Sequence, residues 1–258
     1  MKAPLDLQVS GHSAVLTLNN LPANTWTAES LTELAAIIED LNAKTEVCTL
    51  IVRSASDKFF SAGADLNSFA DADKATATQM AHLFGRAFEA LSGFRGLSIA
   101  VINGYAMGGG LEVALACDLR IAEPKALMAL PEAKVGLLPC AGGTQNLTHL
   151  VGEGWAKRII LCGEQVDATL AEKIGLVEEV VGAGEGMTAA LRLAEQTAQQ
   201  SPQSLAFCKK LIQNCRHGSI SQGLAKEREY FIKLFDGPYP REGVQAFLEK
   251  RQPKWHRT

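Results

Sequence analysis

NGYAMGGGLEVALACD, residues 103–118, sets three consecutive glycines, Gly108 to Gly110, just ahead of a single carboxylate, Glu112, at the head of an apolar run. The residues before it, LSIAVI (97–102), are an apolar, β-branched run of the kind that forms a strand buried on both faces. Strand, then a turn of Gly104, Tyr105 and Ala106, then a helix opening near Gly109 is the predicted local structure. Such a junction presents unpaired backbone N–H groups at a helix N-terminus, where negative charge is favoured and glycine lets a ligand come close. The run contains no G-x-G-x-x-G, and no Lys-Ser or Lys-Thr follows, so it does not match the nucleotide-binding loops. Taken alone, the glycines fit a tight strand-to-helix turn as well as a ligand cradle.

Outward from this stretch, the same grammar repeats. VCTLIVR (47–53) is a second buried-strand run, and the segment from about Ala75 to Leu91 carries Leu83, Phe84, Ala87, Phe88 and Leu91 at helical spacing. Strand, helix and strand in this order favour parallel crossover connections, so the class is α/β. Upstream, Asp6–Ser10 and Ala14–Asn19 alternate as a hairpin broken at Gly11, and TAESLTELAAIIEDLNA (27–43) reads as an amphipathic helix. Past Pro131 the strand signals thin to LVEEVV (176–181). From Ser201 on the pattern is helical, with Ser201 capping and Pro202 in the first turn, and with REGVQAFLEKR (241–251) following the breaker DGPYP. A core over 1–198 and a helical region over 199–258 are expected, and the acidic DADKATATQ (71–79) reads as a mobile loop.

The 258 residues are 47% hydrophobic and 21% charged, which supplies ample core, and a net charge of −3 gives no general attraction to nucleic acid. No run reaches the ~20 apolar residues of a membrane span, and the N-terminus lacks a secretion signal, so a cytoplasmic location is the default expectation. The six cysteines form no C-x-x-C and sit mostly among apolar residues, so buried thiols are expected. His12, His82, His149, His217 and His256 are scattered without metal-ligand spacing, and no metal or cofactor is expected.

Two further features share the character of the glycine run. Glu132 follows Pro131 in the apolar ALMALPEAKVGLLPCAGGTQ (126–145), ahead of a second glycine turn. In KFFSAGADLNSF (58–69), the small residues Ser61 to Ala64 precede a helix start at Asp65. Each carboxylate alone reads as a helix-dipole partner or a solvent-facing side chain. Together, two carboxylates in apolar surroundings beside free amides could divide acid and base roles while the amides hold an oxyanion.

FFSAGADL (59–66), VINGYAMGGGLEVALACDLRIA (101–122), LPEAKVGLLPCAGGTQNL (130–147) and REGVQAFLEKR, in this order and spacing, resemble the successive signature segments of the enoyl-CoA hydratase (crotonase) family. The resemblance implies a ClpP-like crotonase fold of repeated ββα units in a spiral core, with C-terminal helices and assembly as a homotrimer or homohexamer. It implies an acyl-CoA thioester as substrate, an oxyanion hole from the amides of Ala64 and Gly109, and Glu112 and Glu132 as the catalytic pair. Ala62, Asp65 and Leu66 fall in the substrate-binding segment, and Lys58 and Lys250 are candidates for the coenzyme A phosphates. Glu112 as base and Glu132 as acid is the expected division, and hydration of a 2-enoyl-CoA the expected reaction. A Δ3,Δ2-enoyl-CoA isomerase or another crotonase-family acyl-CoA enzyme is the alternative, and a non-catalytic acyl-CoA or RNA binder a further one. Departures from the family pattern are Leu97-Ser98 where Lys-Pro is common, Asn146 where arginine is common, and Cys140 in place of a small residue, read as filling space. The acyl pocket wall is expected from the segment after Leu66, including Phe69, Met80 and Phe84.

Overall fold

A computed structural model describes residues 3–216 and 218–255. Its elements are β1 (Leu5–Ser10), β2 (Ser13–Leu18), α1 (Ala28–Ala43), β3 (Thr49–Ser54), β4 (Phe59–Ser61), α2 (Lys74–Ser92), β5 (Leu97–Ile102), β6 (Tyr105–Met107), α3 (Gly109–Ala116), β7 (Leu119–Ala122), β8 (Leu127–Ala129), α4 (Gly143–Leu161), β9 (Val166–Asp167), α5 (Ala168–Lys173), β10 (Glu179–Val180), α6 (Gly186–Ala198), α7 (Pro202–Asn214), α8 (Ile220–Leu234) and α9 (Tyr239–Leu248). The order from β1 to α4 is ββα four times over, with a turn of 3-10 helix, Leu66–Phe69 or Glu132–Val135, before α2 and before α4.

In the first repeat β1 and β2 pair as a hairpin, and in the next three the two strands part company. One sheet runs β1-β2-β3-β5-β7-β10, antiparallel at β1 and parallel elsewhere, and the other runs β4-β6-β8-β9, parallel until the antiparallel β9. The continuous apolar runs of β3 and β5 follow from cover on both faces of the larger sheet. Leu50, Val52, Ala100 and Ile102 join the main core with α1 and α2, while Ile51, Ile99 and Val101 join Ala189, Ala190 and Ala194 of α6. Thr27 caps α1 in a reciprocal box with Ser30, and Ser201 caps α7 ahead of Pro202.

Several expectations are corrected. Tyr105–Met107 is the strand β6 rather than a turn, and β7, β8 and β9 lie in stretches too short to announce themselves by periodicity. The acidic segment 71–79 is largely the start of α2, because Asp73 caps the helix by accepting the amide of Thr76. Cys48 and Cys117 are buried as expected, but Cys140, Cys162, Cys208 and Cys215 are exposed, the last three lying at helix ends or on helix faces. Ser98, at the altered strand entry, donates through both its amide and its hydroxyl to Asp118. That carboxylate also receives Lys209 at 2.6 Å and so ties α7 to the core.

Arg120 of β7 is the buried polar residue that organises the end of α3. Its guanidinium donates to the carbonyls of Cys117 and Leu176 and pairs with Glu178 before β10. Removing it strands buried carbonyls and a charge partner, so Arg120→Met should lower unfolding stability by about 3 kcal/mol in denaturant titration, whereas Arg86→Met, at an exposed pair with Glu39, should cost under about 1 kcal/mol.

Candidate active site

Because β4, β6 and β8 are neighbouring parallel strands, the chain leaves all three in the same direction, and the segments that continue them meet at their C-terminal ends. After β4 come Ala62 to Leu66, after β6 come Gly108 and Gly109 opening α3, and after β8 comes Glu132 behind Pro131. A cavity of about 880 Å³ opens there, with Ala62, Ala64, Leu66, Gly109, Glu112 and Glu132 among its lining.

Glycine is required where the first two segments touch. A Cβ on Gly63, already at φ +89°, would sit 2.6 Å from the carbonyl oxygen of Met107 and 3.0 Å from the amide nitrogen of Gly109, and one on Gly110 would overlap the carbonyl of Ser61. Gly108 takes φ 54° as the cap residue of α3. Gly109 is the first residue of that helix, so its N–H has no intrahelical acceptor. In the facing loop, Ala62 N–H donates to Ala23, Gly63 N–H to the Ser61 hydroxyl and Asp65 N–H to Trp26, while the amide of Ala64 has no acceptor among the described residues.

The two carboxylates differ in their surroundings. Glu112 is 3% exposed, and its Oε1 accepts the amides of Ala141 and Gly143 at 2.8 and 2.9 Å, at the glycine turn that starts α4. Burial pushes its carboxyl above the usual range, opposed by those two amides. Both carboxyl oxygens of Glu132 are buried without a hydrogen-bond partner among the described residues. Burial, with the Glu112 charge adding to it, pushes Glu132 up to about 7, against a lowering by its own backbone amide.

The wall is otherwise mostly apolar. Phe69, Ala77, Ala81 and Phe84 form one side, Val135, Leu137 and Leu138 another, and these last three are exposed at 56%, 41% and 69%. Met80 instead faces the core, one position off the helical stripe that reaches the cavity. Cys140 lines the cavity rather than filling space, its thiol pushed up to about 11 by desolvation and by the two glutamates. Lys134, two residues past Glu132, also lines it and had no motif to mark it. Lys58, Asp65 and Lys250 are not in the lining. Lys58 is exposed beside the ring of Phe59, Asp65 accepts the amide of Asn67 to cap the short 3-10 turn, and Lys250 follows α9 at φ 54°. Among the described residues no group of histidines, cysteines and carboxylates could hold a metal ion, and His217 and His256 lie outside those residues. No helix among them is long and apolar enough to cross a membrane.

Residues 10–258 match the family model for enoyl-CoA hydratase/isomerase. The chain belongs to the enoyl-CoA hydratase/isomerase, or crotonase, family. It is 36% identical to the 2,3-dehydroadipyl-CoA hydratase of Escherichia coli, over 96% of this chain and 97% of that one. Among solved structures, DspI of Pseudomonas aeruginosa superposes with a TM-score of 0.96 at 60% identity, covering 99% of this chain and 97% of that one. An enoyl-CoA hydratase of Bacillus anthracis superposes at 0.94 and 32%, covering 99% and 100%. The crotonase fold expected from the signature segments is therefore present, with two mixed sheets and C-terminal helices.

A carboxyl whose folded value lies above its unfolded one binds its proton more tightly in the native state, so stability falls as pH rises from about 4.5 to about 7. Glu132→Gln, which carries no charge to bury, should be more stable than wild type by about 1–2 kcal/mol at pH 8 and nearly equal to it at pH 4. Denaturant titrations at the two pH values measure the difference.

Proposed function

We propose that this chain is an enoyl-CoA hydratase, adding water reversibly across the double bond of a 2-enoyl-CoA to give a 3-hydroxyacyl-CoA. One observation carries the reading: two glutamates with unlike environments face one apolar cavity beside two backbone amides without acceptors. A single-carboxylate proton shuttle, as an isomerase needs, would leave the second glutamate buried at a cost with nothing to do.

In the proposed reaction the amides of Ala64 and Gly109 receive the thioester carbonyl oxygen. Each well-placed donor in such a hole contributes roughly 3 kcal/mol to transition-state stabilisation. The two amides on Glu112 favour its ionised form, and Glu132, whose more strongly raised carboxyl is dominated by burial, holds its proton more firmly. Glu112 therefore takes a proton from water as the oxygen bonds to Cβ. The displaced electron pair collects on the thioester oxygen as an enolate, and Glu132 delivers its proton to Cα. The pair ends with one proton moved from Glu132 to Glu112, and the reverse sequence is dehydration.

The acyl chain would run along Phe69, Ala77, Ala81 and Phe84, which supports an apolar chain. Lys58 and Lys250 stay proposed as contacts for the coenzyme A phosphates, and Asp65 as part of the binding segment. The active species is proposed to be a cytoplasmic homotrimer or homohexamer. The exposed Phe231, Phe235, Phe247 and Leu248 on the C-terminal helices support an assembled form.

Loss of the enoyl-thioester absorbance of crotonyl-CoA, with the product identified by mass, tests the proposal. Wild type should form the water adduct, and Glu112→Gln and Glu132→Gln should each lose roughly 10²–10⁴-fold in kcat. The rate should require Glu112 ionised and Glu132 protonated, so kcat/KM should decline above about pH 7. Folded protein that binds enoyl-CoA esters of short and long chain without adding water would overturn the hydratase reading in favour of isomerisation or binding alone.

A further inference from the structure

The peptide between Gly63 and Ala64 is closely constrained in the cavity wall. Its carbonyl accepts the amide of Trp26 at 2.8 Å, and because the peptide is planar and trans, this bond sets the opposite direction of the Ala64 N–H. Flipping the peptide would break that bond and turn the carbonyl, instead of the amide, toward the cavity. The hold therefore depends on how the segment Ala23–Trp26 is itself anchored against Phe60–Asp65.

Asn24 makes that anchorage. It is 3% exposed and adopts φ 51°, a left-handed conformation that asparagine tolerates better than most residues. Its Nδ2 donates to the hydroxyl of Ser54 at the end of β3 (2.8 Å) and to the carbonyl of Phe60 in β4 (3.1 Å). Its main-chain carbonyl accepts the hydroxyl of Ser61 at 2.7 Å, and that hydroxyl oxygen in turn accepts the amide of Gly63 at 3.2 Å. On either side, Ala62 N–H donates to Ala23 and Asp65 N–H to Trp26. A chain of hydrogen bonds thus runs from Asn24 through Ser61 to the amide of Gly63, the residue before Ala64. It passes through no group that could contact substrate.

We propose that Asn24, acting through Ser61, is a positioning residue for catalysis: it holds the Gly63–Ala64 peptide with its N–H turned to the thioester carbonyl. The inference rests on the proposed role of the Ala64 amide as an oxyanion donor. A brace for a transition-state contact differs from a brace for the fold in what it changes. Loosening it should weaken polarisation of the carbonyl and lower kcat, while the rest of the pocket still binds the substrate, so KM should hold.

The variants are Asn24→Gly, which accepts φ 51° without strain but removes the side-chain donors, and Ser61→Ala, which breaks the relay without touching residue 24. Each should lower kcat for crotonyl-CoA by about 10- to 100-fold, short of the roughly 10²–10³-fold that follows loss of a whole oxyanion donor, with KM changed by less than about threefold. The decisive readout is the infrared carbonyl band of crotonyl-CoA bound to protein that also carries Glu132→Gln to slow turnover. With residues 24 and 61 intact the band should shift to lower frequency relative to free thioester, and with either substitution the shift should shrink. Variants that lose thermal stability yet keep the full band shift and kcat would overturn the positioning role and leave the hydratase reading intact. A parent protein that binds the thioester without shifting its band would overturn the oxyanion reading and this inference together.

Discussion

Two backbone segments pressed together without intervening side chains are the constraint on which the rest depends. Ser61 to Ala64 lies against Met107 to Gly110 so closely that Gly63 and Gly110 have no room for a Cβ. Neither contact is worth much as hydrophobic burial. Their value is geometric: only by excluding side chains can two amides from separate ββα turns border the same small volume. Side chains enter around this contact instead of within it. Phe84 packs against Gly109, Phe88 stacks edge-on to Phe84 at 5.7 Å, and Trp26 stacks edge-on to Phe88 at 5.4 Å. One aromatic series thus backs both segments, and its last ring belongs to the residue whose amide holds Gly63.

Against that rigid backing the two glutamates are set apart by what they lack as much as by what they touch. Both are drawn from water into an apolar wall, which raises both. The turn at Ala141 and Gly143 then supplies Glu112 with two donors, and nothing equivalent among the described residues reaches Glu132. Repulsion from Glu112 adds to the burial that raises Glu132, so ionising both carboxyls together is costly. Gly143 shows how tightly this is built, since a Cβ there would lie 2.8 Å from Oε1 of Glu112 and displace the carboxylate from its donors.

Apart from β7, the larger sheet and the helices are legible in the sequence because burial on both faces leaves unbroken runs such as LSIAVI, and caps such as Thr27 and Ser201 declare helix starts. The smaller sheet is not legible. Its strands are two or three residues long, below any readable period, and β4, β6 and β8 each follow a longer strand whose register is already set. The glycine run and the two odd carboxylates stand out by their contrast with apolar neighbours. Asn24, Trp26 and Ser61 do not, because an asparagine in a proline-flanked loop reads as an ordinary turn residue. Its meaning arises only from partners 30 to 37 positions away. The exposed cysteines mislead for the opposite reason: apolar neighbours in sequence describe a helix face, and Cys162 and Cys208 lie off the faces that are buried.

The repeat explains why such a site is accessible to a chain of this kind at all. Each of the last three ββα turns contributes a longer strand to the structural sheet and a short one to the smaller sheet, and the residues just past β4, β6 and β8 occupy equivalent places in successive turns. Equivalent places carry different chemistry: a pinned loop with a spare amide after the first, a helix N-terminus and its carboxylate after the second, a lone unpaired carboxylate after the third. Because the strands are hydrogen-bonded neighbours, the spacing between these groups is set by the sheet and not by loop length. The loops are then free to vary in what they present to a substrate while the backbone at the strand ends stays in place.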